Sequence, residues 1–394
     1  MTRSKALKCA ATAASALLAV AMVAMAADPL DLGPLKPAVK PKGEAKAPGA
    51  KPAPRAKPAR KGSPVYTSLE DARKAGPDID IQGEYEGTAG GEKIGIQVIA
   101  LSGGAFQAVC LPGGLPGAGW DGKNKILLAG KLEGGKTVFE AAKGARKYLA
   151  GPPDQFSAKG KFPPPSQKDW TGQLADGTFT GKTDDGKDIA AKRVVRESPT
   201  MGAKPPAGAI VLFDGTNAEA FEGGRCDEKT RFLNTDAHDI RTRQKFSNFV
   251  MHLEFLLPFR PDARGQGRAN SGFYLVDHYE VQILDSFGLD GRNNECGGVY
   301  TKADPKVNMC LPPLQWQTYD VDFSNAVAGP DGKKTKNAVI HSFKHNGVVI
   351  HENLGINGKT GGSRGDPEGT PGPIKLQGHG NPLQFRNIWI VEKK

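Results

Sequence analysis

Glycine and proline interrupt this chain so often that long helices are excluded. Its 394 residues include 51 glycines and 30 prolines. Glycine weakens a helix through its backbone freedom, and proline removes a backbone donor and clashes with the preceding turn. Between these residues lie short runs of alternating apolar and polar residues, which are typical of half-buried β-strands. The sequence therefore predicts an all-β protein.

Positive charge is concentrated at the N-terminus. The whole chain has a formal net charge of +11, and residues 1–64 alone hold twelve Lys or Arg against three Asp or Glu. The rest of the chain is therefore nearly neutral. A basic face on a folded domain is the usual mark of nucleic-acid binding. We expect no nucleic-acid partner, because the charge does not lie on the predicted domains.

Residues 1–27 have the three parts of a secretory signal peptide. A basic start is followed by a short apolar run and then by Ala24-Met25-Ala26, which fits a cleavage site. A retained N-terminal anchor is the alternative, although the apolar run is short for crossing a bilayer. We expect cleavage and a secreted or periplasmic protein.

Residues 28–64 are rich in Lys, Pro and Ala and contain no aromatic residue. Such a segment cannot bury enough apolar area to offset the entropy lost on folding. The composition predicts a disordered linker. Its charge favours weak association with an acidic envelope surface, although a solubilising spacer explains the same composition.

Four cysteines follow the predicted signal peptide: Cys110, Cys226, Cys296 and Cys310. Disulfides persist in exported proteins. We predict a bridge between Cys296 and Cys310, which lie fourteen positions apart around a loop rich in glycine and proline. A zinc site is the alternative, but no C-x-x-C or H-x-x-x-H spacing accompanies these cysteines.

Residues 65–204 are predicted to form a small antiparallel β module with two helices, Ser68–Lys74 and Phe139–Leu149. The module contains no histidine. We therefore expect an accessory role for it, either structural or in carbohydrate binding. Trp120 and Trp170 are candidate platforms for stacking on sugars, and burial in the core is the alternative for both.

Residues 205–394 hold all seven histidines and the clearest strands. In Tyr279–Asp285, alternation places Glu280 and Gln282 together on one face, about 7 Å apart by strand rise. Asn346-Gly347 between two apolar runs predicts a type I′ hairpin turn. Around eight to ten such strands, joined by long loops, predict a two-sheet jelly roll.

Five motifs follow one another in this half of the chain. They are Ala209-Ile-Val-Leu-Phe-Asp-Gly-Thr, Asn270-Ser-Gly-Phe-Tyr, Tyr279-Glu-Val-Gln-Ile-Leu-Asp, Trp316 in Gln-Trp-Gln-Thr-Tyr, and Pro373-Ile-Lys-Leu-Gln-Gly-His-Gly with Phe385-Arg-Asn-Ile-Trp-Ile. Together they resemble the 3-keto-disaccharide hydrolase family, which is numerous in Planctomycetes and Bacteroidetes. The resemblance covers about residues 209–391. It implies a concanavalin A-like jelly roll with a carbohydrate cleft on its concave sheet, acting on 3-keto-glycosides.

The implied chemistry differs from that of a retaining glycosidase, which needs two carboxylates about 5 Å apart. A ketone at C3 of a sugar acidifies the hydrogen at C2, so a base can remove it while the C1 substituent leaves. Water is added afterwards. Such a site needs a base, a cation or hydrogen-bond donor near the enolate oxygen, and exclusion of bulk water.

With this chemistry, the resemblance implies two sets of site residues. The catalytic candidates are Glu254, Glu280, His379 and Arg386, and the substrate-binding candidates are Asn270, Gln282, Trp316 and Gln377. A divalent ion held by His and carboxylate would stabilise the enolate equally well, so one metal ion is a further expectation. Family members often have Asp where this chain has Gly378, so no role is assigned through that acid.

Each assignment has a structural alternative. Glu280 and Gln282 also suit a solvated strand face, His379 a loop that satisfies backbone groups, and Arg386 the anchoring of the last strand. The expected substrate is an oligosaccharide or 3-keto-glycoside. A lectin-like carbohydrate-binding module without turnover is the alternative function, since one fold serves both. A structural envelope protein held by its basic linker is a third.

The signal peptide makes the first testable prediction. Cleavage after Ala24-Met25-Ala26 places the mature N-terminus at Ala27 or Asp28. N-terminal sequencing of the secreted protein checks this, and a secreted form that still begins with Met1 would contradict it.

Overall fold

The computed structural model describes residues 64–143 and 163–394. All of these residues belong to one compact unit, Ala53–Lys394. The predicted signal peptide and all but the last residue of the predicted linker lie outside the described residues. Within them, no helix is long and apolar enough to cross a membrane.

Strands make up most of the regular structure, with two short helices and one 3₁₀ turn. The helices are α1 (Leu69–Ala75) and α2 (Asp78–Ile81), and the 3₁₀ turn is Gly265–Gly267. The first eight strands are β1 (Gly83–Ala89), β2 (Glu92–Ala100), β3 (Ala105–Pro112), β4 (Ile126–Glu133), β5 (Lys136–Ala141), β6 (Thr171–Ala175), β7 (Thr178–Lys182) and β8 (Asp188–Val194). The others are β9 (Ile210–Phe213), β10 (Phe221–Glu222), β11 (Arg225–Cys226), β12 (Leu233–Asn234), β13 (Ile240–Thr242), β14 (Phe249–Leu256), β15 (Ser271–Leu275), β16 (Tyr279–Ile283), β17 (Trp316–Ser324), β18 (Val327–Ala328), β19 (Lys334–Lys336), β20 (Ala338–His345), β21 (Val348–Ile356), β22 (Lys375–Leu376) and β23 (Gln384–Glu392).

Strands β1 to β8 form a closed antiparallel barrel in chain order. The predicted antiparallel module therefore closes, because β8 also pairs with β1. A glycine makes this closure possible: a Cβ at Gly87 would lie 1.9 Å from the carbonyl oxygen of Ala190. The interior is filled by side chains such as Tyr85, Phe139 and Phe179.

Of the two predicted helices, one is confirmed and one is wrong. Helix α1 follows Ser68, whose side chain accepts a hydrogen bond from the backbone N–H of Asp71. The predicted helix Phe139–Leu149 begins inside strand β5, and its part beyond residue 143 lies outside the described residues. Phe139 is buried in the barrel, so strand pairing with β4 outweighs the local helical preference.

Residues 209–392 form a sandwich of two antiparallel sheets, as the all-β jelly-roll prediction requires. One sheet has five strands in the order β10-β13-β22-β15-β16. The other has eight, in the order β11-β12-β23-β14-β17-β20-β21 with β9 added on β23. Side chains of both sheets share one core, in which Tyr279 of the smaller sheet contacts Phe323 of the larger sheet with ring centroids 5.8 Å apart.

The predicted Asn346-Gly347 turn is confirmed. It joins β20 to β21, and both of its residues have positive φ, 50° for Asn346 and 79° for Gly347. The type I′ turn needs this conformation at both central positions, where a residue other than Gly or Asn is strained. The local sequence therefore fixes the pairing of these two strands.

The barrel is fastened to the sandwich by a buried ion pair and by backbone contacts. Arg268 bonds Asp285 with a nitrogen–oxygen distance of 2.6 Å, and their side chains are only 4% and 1% exposed. Arg268 also donates to the carbonyl oxygen of Ala100 at the end of β2, at 3.2 Å. Apolar residues on the outside of the barrel, such as Val109, join the sandwich core.

Residues 195–204, here called the connector, run from the barrel across the outer face of the larger sheet. Thr200 donates to Asp320 at 2.7 Å, and the backbone N–H of Gly202 donates to Glu254 at 2.7 Å. The carbonyl oxygen of Ala203 accepts from the side chains of Asn387 and Trp389, each at 3.0 Å. The connector therefore covers the middle of this face.

The predicted Cys296–Cys310 disulfide is not formed in the structure. Both residues are buried free thiols whose side chains contact each other. Cys296 bonds the hydroxyl of Tyr319 at 3.1 Å, and Cys310 donates to the carbonyl oxygen of Leu284 at 3.5 Å. Each thiol therefore has a hydrogen-bond partner of its own.

The two tryptophans of the barrel module are packed against protein. Trp170 is 6% exposed in the barrel core, and Trp120 is partly buried against the sandwich core. Burial, the alternative considered for both, therefore describes them better than a sugar platform does.

The Arg268–Asp285 pair predicts a large loss of stability on removal of its cation. Arg268→Leu leaves the Asp285 carboxylate buried without a partner, which usually costs about 3 to 5 kcal/mol of unfolding free energy. The control is Arg243→Leu, at a position whose side chain is 62% exposed, with an expected change of about 0.5 kcal/mol or less. Urea unfolding measures both, and equal stability of the two variants would refute the role of the pair.

Candidate functional site

The predicted site residues lie on opposite faces of the sandwich. Glu254 belongs to β14 of the larger sheet, and Glu280 belongs to β16 of the smaller sheet. Their strand neighbours fill the shared core, so alternation turns both carboxyls outward, away from each other. The structure therefore does not bring the catalytic candidates Glu254 and Glu280 together in one site.

Glu254 lies beneath the connector, and both of its carboxylate oxygens accept hydrogen bonds. Its carboxylate accepts from Arg386 at 2.6 Å, from Asn387 at 2.8 Å and from the N–H of Gly202 at 2.7 Å. Burial alone would raise its pKa, but hydrogen bonds from His252, Asn387, Arg386 and Gly202 outweigh that effect and lower the pKa to about 2. A carboxylate held this way is a poor proton acceptor, so Glu254 anchors the connector.

His252 completes this buried network. It is fully buried, with Nδ1 2.6 Å from an Asp320 oxygen and Nε2 3.5 Å from a Glu254 oxygen. Burial would lower its pKa, but hydrogen bonds to Asp320 and Glu254 outweigh burial and raise the pKa. The predicted catalytic role of the Glu254 face is thereby replaced by a structural one.

Arg386 and Trp316 also belong to this face. The guanidinium carbon of Arg386 lies 4.1 Å from the centre of the Trp316 ring. Phe232 meets the same ring edge-on, with centroids 4.8 Å apart. Arg386 thus anchors the last strand through Glu254 and Trp316, which is the alternative that the sequence left open.

The second group lies on the outer face of the smaller sheet, where β22, β15 and β16 are neighbours. We call it the Glu280 face. Gly272 on β15 leaves room for the Glu280 carboxyl: a Cβ at Gly272 would lie 2.5 Å from Glu280 Oε1. The bare glycine backbone therefore lies directly beneath the carboxyl group.

Burial tunes the acidity of Glu280, which is only 4% exposed. Desolvation raises its pKa to about 7, against the opposing effects of a hydrogen bond from Tyr274 and the charge of Lys375. A carboxyl group with this pKa exchanges its proton near neutral pH, as a general acid or base must.

Tyr274 and Lys375 are site residues that the sequence reasoning missed. The Tyr274 hydroxyl donates to the carbonyl oxygen of Gly361 at 3.0 Å, and burial raises its pKa, so it stays protonated. The Lys375 ammonium lies 3.6 Å from the centre of the Tyr274 ring and 2.8 Å from Asp277. Both residues lie in quoted motifs, at positions that strand alternation places on the same face as Gly272.

Amide side chains line the other end of the Glu280 face. The amide nitrogens of Asn270 and Gln282 donate to Gln266 Oε1 at 3.0 and 2.9 Å. Their own oxygens, Asn270 Oδ1 and Gln282 Oε1, are buried and have no hydrogen-bond partner. The predicted substrate-binding residues Asn270 and Gln282 thus lie together, whereas no sequence pattern pointed to Gln266.

The loop after β22 borders this face. Gln377 Nε2 lies 3.4 Å from the Tyr274 hydroxyl, and the backbone N–H of Gln377 donates to the carbonyl oxygen of Gly272 at 2.9 Å. His379 is exposed on the same loop. Asn381 ties the loop to Asn270 by donating to its carbonyl oxygen at 3.4 Å. Gln377 therefore belongs to the face, and His379 lies at its rim.

The residues proposed to hold a metal ion are not brought together. Glu254 lies on the opposite face, and His379 is exposed on a loop. Among residues 64–143 and 163–394, no three His, Cys, Asp or Glu side chains form a group suited to a metal ion. The described residues therefore do not assemble a His and carboxylate donor set, and the divalent ion stays a prediction.

Comparison with known proteins agrees with the sequence motifs. Residues 208–391 match the profile of the 3-keto-alpha-glucoside-1,2-lyase-like domain. Three solved structures from Parabacteroides distasonis, each described as a candidate glycosyl hydrolase, are similar to this half of the chain. The first is 35% identical, covers 48% of this chain and 85% of its own length, and has a TM-score of 0.43.

The other two structures are more distant. One is 17% identical over 48% of this chain and 95% of its own, with a TM-score of 0.35. The other is 19% identical over 47% and 99%, with a TM-score of 0.34. No curated protein matches the chain.

The family match supports a carbohydrate-active function for this half of the chain. More narrowly, residues 208–391 match the 3-keto-disaccharide hydrolase family.

The raised pKa of Glu280 predicts a pH-dependent cost to folding. A carboxyl with a pKa of about 7 in the fold and about 4.5 when unfolded stabilises the fold below pH 4.5, and this contribution is lost as the pH rises through 7. Glu280→Gln keeps the neutral shape and cannot ionise. The unfolding free energy of the variant relative to the wild type should therefore rise by about 3 kcal/mol between pH 4.5 and 7.

Chemical unfolding of both proteins between pH 4 and 8 measures this gain. Glu222→Gln, at an exposed position of β10, provides the reference. A stability difference between Glu280→Gln and wild type that is the same at every pH would contradict the assignment.

Proposed function

We propose that this protein cleaves 3-keto-glycosides by elimination across C1 and C2, with Glu280 as the base. The observation that carries the proposal is the buried Glu280 carboxyl, with a pKa of about 7, facing outward above Gly272 in the domain that matches this family. The family match supports the substrate class, and the acidity of Glu280 supports the role.

The reaction needs one proton acceptor rather than two carboxylates. The C2–H bond breaks and its proton goes to Glu280. The electron pair forms the C1=C2 double bond while the C1–O bond breaks. The leaving oxygen takes the proton that Glu280 holds and becomes an alcohol, so the Glu280 carboxylate is restored. Adding water across the double bond then completes hydrolysis. No second carboxylate is required, which agrees with the separation of Glu254 from Glu280.

Negative charge develops on the ketone oxygen when the C2 proton leaves. Tyr274, which stays protonated because burial raises its pKa, is the proposed hydrogen-bond donor to that oxygen, with Gln377 beside it. When the sugar binds, the hydroxyl proton of Tyr274 turns from the carbonyl oxygen of Gly361 to the ketone oxygen. Lys375 stabilises the same region through its charge, 3.6 Å from the Tyr274 ring centre.

Burial of this face supplies the third requirement, exclusion of water. Glu280 is 4% exposed, and Tyr274 and Lys375 are 1% exposed each. Charges interact more strongly where bulk water is excluded. We therefore expect the bound sugar to be largely enclosed by the protein.

Glu280→Gln tests the proposal. Loss of a positioned proton acceptor should lower turnover by about 10²-fold or more. Turnover by the wild type should rise with pH and level off above about pH 7, because Glu280 must be deprotonated to act. Product release from 3-keto-trehalose and 3-keto-glucosides, with and without chelator, measures activity and tests the expected divalent ion.

Glu254→Gln is the matched control, since it makes the same change on the opposite face. It should keep turnover within about threefold, provided circular dichroism shows a folded protein. Unchanged turnover in folded Glu280→Gln would overturn the role of Glu280. Binding of these sugars by the wild type without any product would favour the lectin-like alternative.

A further inference from the structure

Two buried amide oxygens on the Glu280 face lack a hydrogen-bond donor. Asn270 is 3% exposed and Gln282 is 1% exposed, and Asn270 Oδ1 and Gln282 Oε1 have no partner. Buried acceptors without a donor are unusual because they lose water without replacement. Two of them on one face indicate groups that a ligand completes.

The backbone carbonyl of Asn294 determines which side-chain amide atoms of Asn270 and Gln282 have no hydrogen-bond partner. The carbonyl oxygen of Asn294 can only accept, and Gln266 Nε2 donates to it at 2.7 Å. Gln266 Oε1 must therefore face the other way. It accepts from Asn270 Nδ2 at 3.0 Å and from Gln282 Nε2 at 2.9 Å. Both amide nitrogens are thus used, and both oxygens remain.

We propose that Gln266 is a positioning residue that makes Asn270 and Gln282 a subsite for hydroxyl groups of the sugar. The inference rests on the proposed function, since it assumes that the Glu280 face binds the substrate. An unpaired amide oxygen requires a donor, which a sugar hydroxyl supplies. A ketone oxygen has no proton to donate, so the keto group must lie at the other end, toward Tyr274 and Gln377.

The barrel holds Gln266 in place. Gln266 lies in the Gly265–Gly267 turn, and the residues on either side of that turn are anchored to the end of β2. Arg264 donates to the carbonyl oxygen of Leu101 at 2.9 Å, and Arg268 donates to that of Ala100 at 3.2 Å. The first module thereby gains a role in carbohydrate binding without touching the sugar.

Neither amide oxygen touches solvent in the unliganded protein. A sugar reaches them only when side chains at the rim move, as happens in many binding sites. Measured affinities include the cost of that movement, so the test compares ligands and variants with one another.

The test measures binding by calorimetry in a Glu280→Gln background, where turnover does not intervene. The probes are methyl 3-keto-α-glucoside and its analogues in which one hydroxyl is replaced by hydrogen or by fluorine. Fluorine cannot donate a hydrogen bond. At the position that contacts the subsite, we expect both replacements to weaken binding equally, by about tenfold or more.

Gln266→Met should remove this discrimination between the parent sugar and its hydrogen- and fluorine-substituted analogues. It leaves the two amides free to rotate, so the parent sugar should bind about tenfold more weakly and the two replacements should each cost less than about threefold. Gln244→Met, at an exposed glutamine, is the matched control and should behave like the background protein.

Each outcome separates the two proposals. Discrimination that survives in Gln266→Met overturns the inference and leaves the catalytic proposal intact. A fluorine analogue that binds as well as the parent at every position also overturns it. If the background protein binds none of these sugars while the wild type releases product, the inference alone fails. If there is neither binding nor turnover, both fail.

Discussion

The shared core between the two sheets determines which polar groups of this protein can act together. Every strand that gives alternate residues to the core must give the others to an outer face. Glu254 and Glu280 both follow strongly apolar neighbours, and they belong to different sheets. The core therefore keeps the two carboxyls on opposite sides, and each meets a different environment.

These environments give the two carboxyls different chemistry. Glu254 meets four hydrogen-bonding groups, which more than offset its burial and keep it ionised at a pKa of about 2. Glu280 meets a bare glycine and few compensating groups, so burial dominates and its pKa rises to about 7. The same residue type thus anchors the connector in one place and is suited to proton transfer in the other.

Much of the fold follows from local sequence, because alternation and turn residues act over short distances. The Asn346-Gly347 turn and the strands on either side of it are examples. The closing pair between β1 and β8 is different, since it depends on close approach of Gly87 to a strand about a hundred residues away. The helix predicted from Phe139 failed for a similar reason, because pairing with β4 decided its conformation.

The site was predictable where motifs and alternation coincide. Asn270, Glu280, Gln282 and Gln377 were named from motifs and lie on one face, and the same alternation would have found Tyr274 and Lys375. Sequence could not assign Glu254, because nothing local reveals that the connector folds over it. Nor could it find Gln266, whose position depends on arginines bonded to a distant barrel.

A crystal structure with a 3-keto C-glycoside, whose C1–C bond cannot break in this elimination, tests the central claim most directly. The account predicts sugar density on the Glu280 face, with C2 within hydrogen-bonding range of the Glu280 carboxyl and the keto oxygen toward Tyr274. Density over Trp316 and Arg386 on the opposite sheet, with the Glu280 face empty, would contradict it.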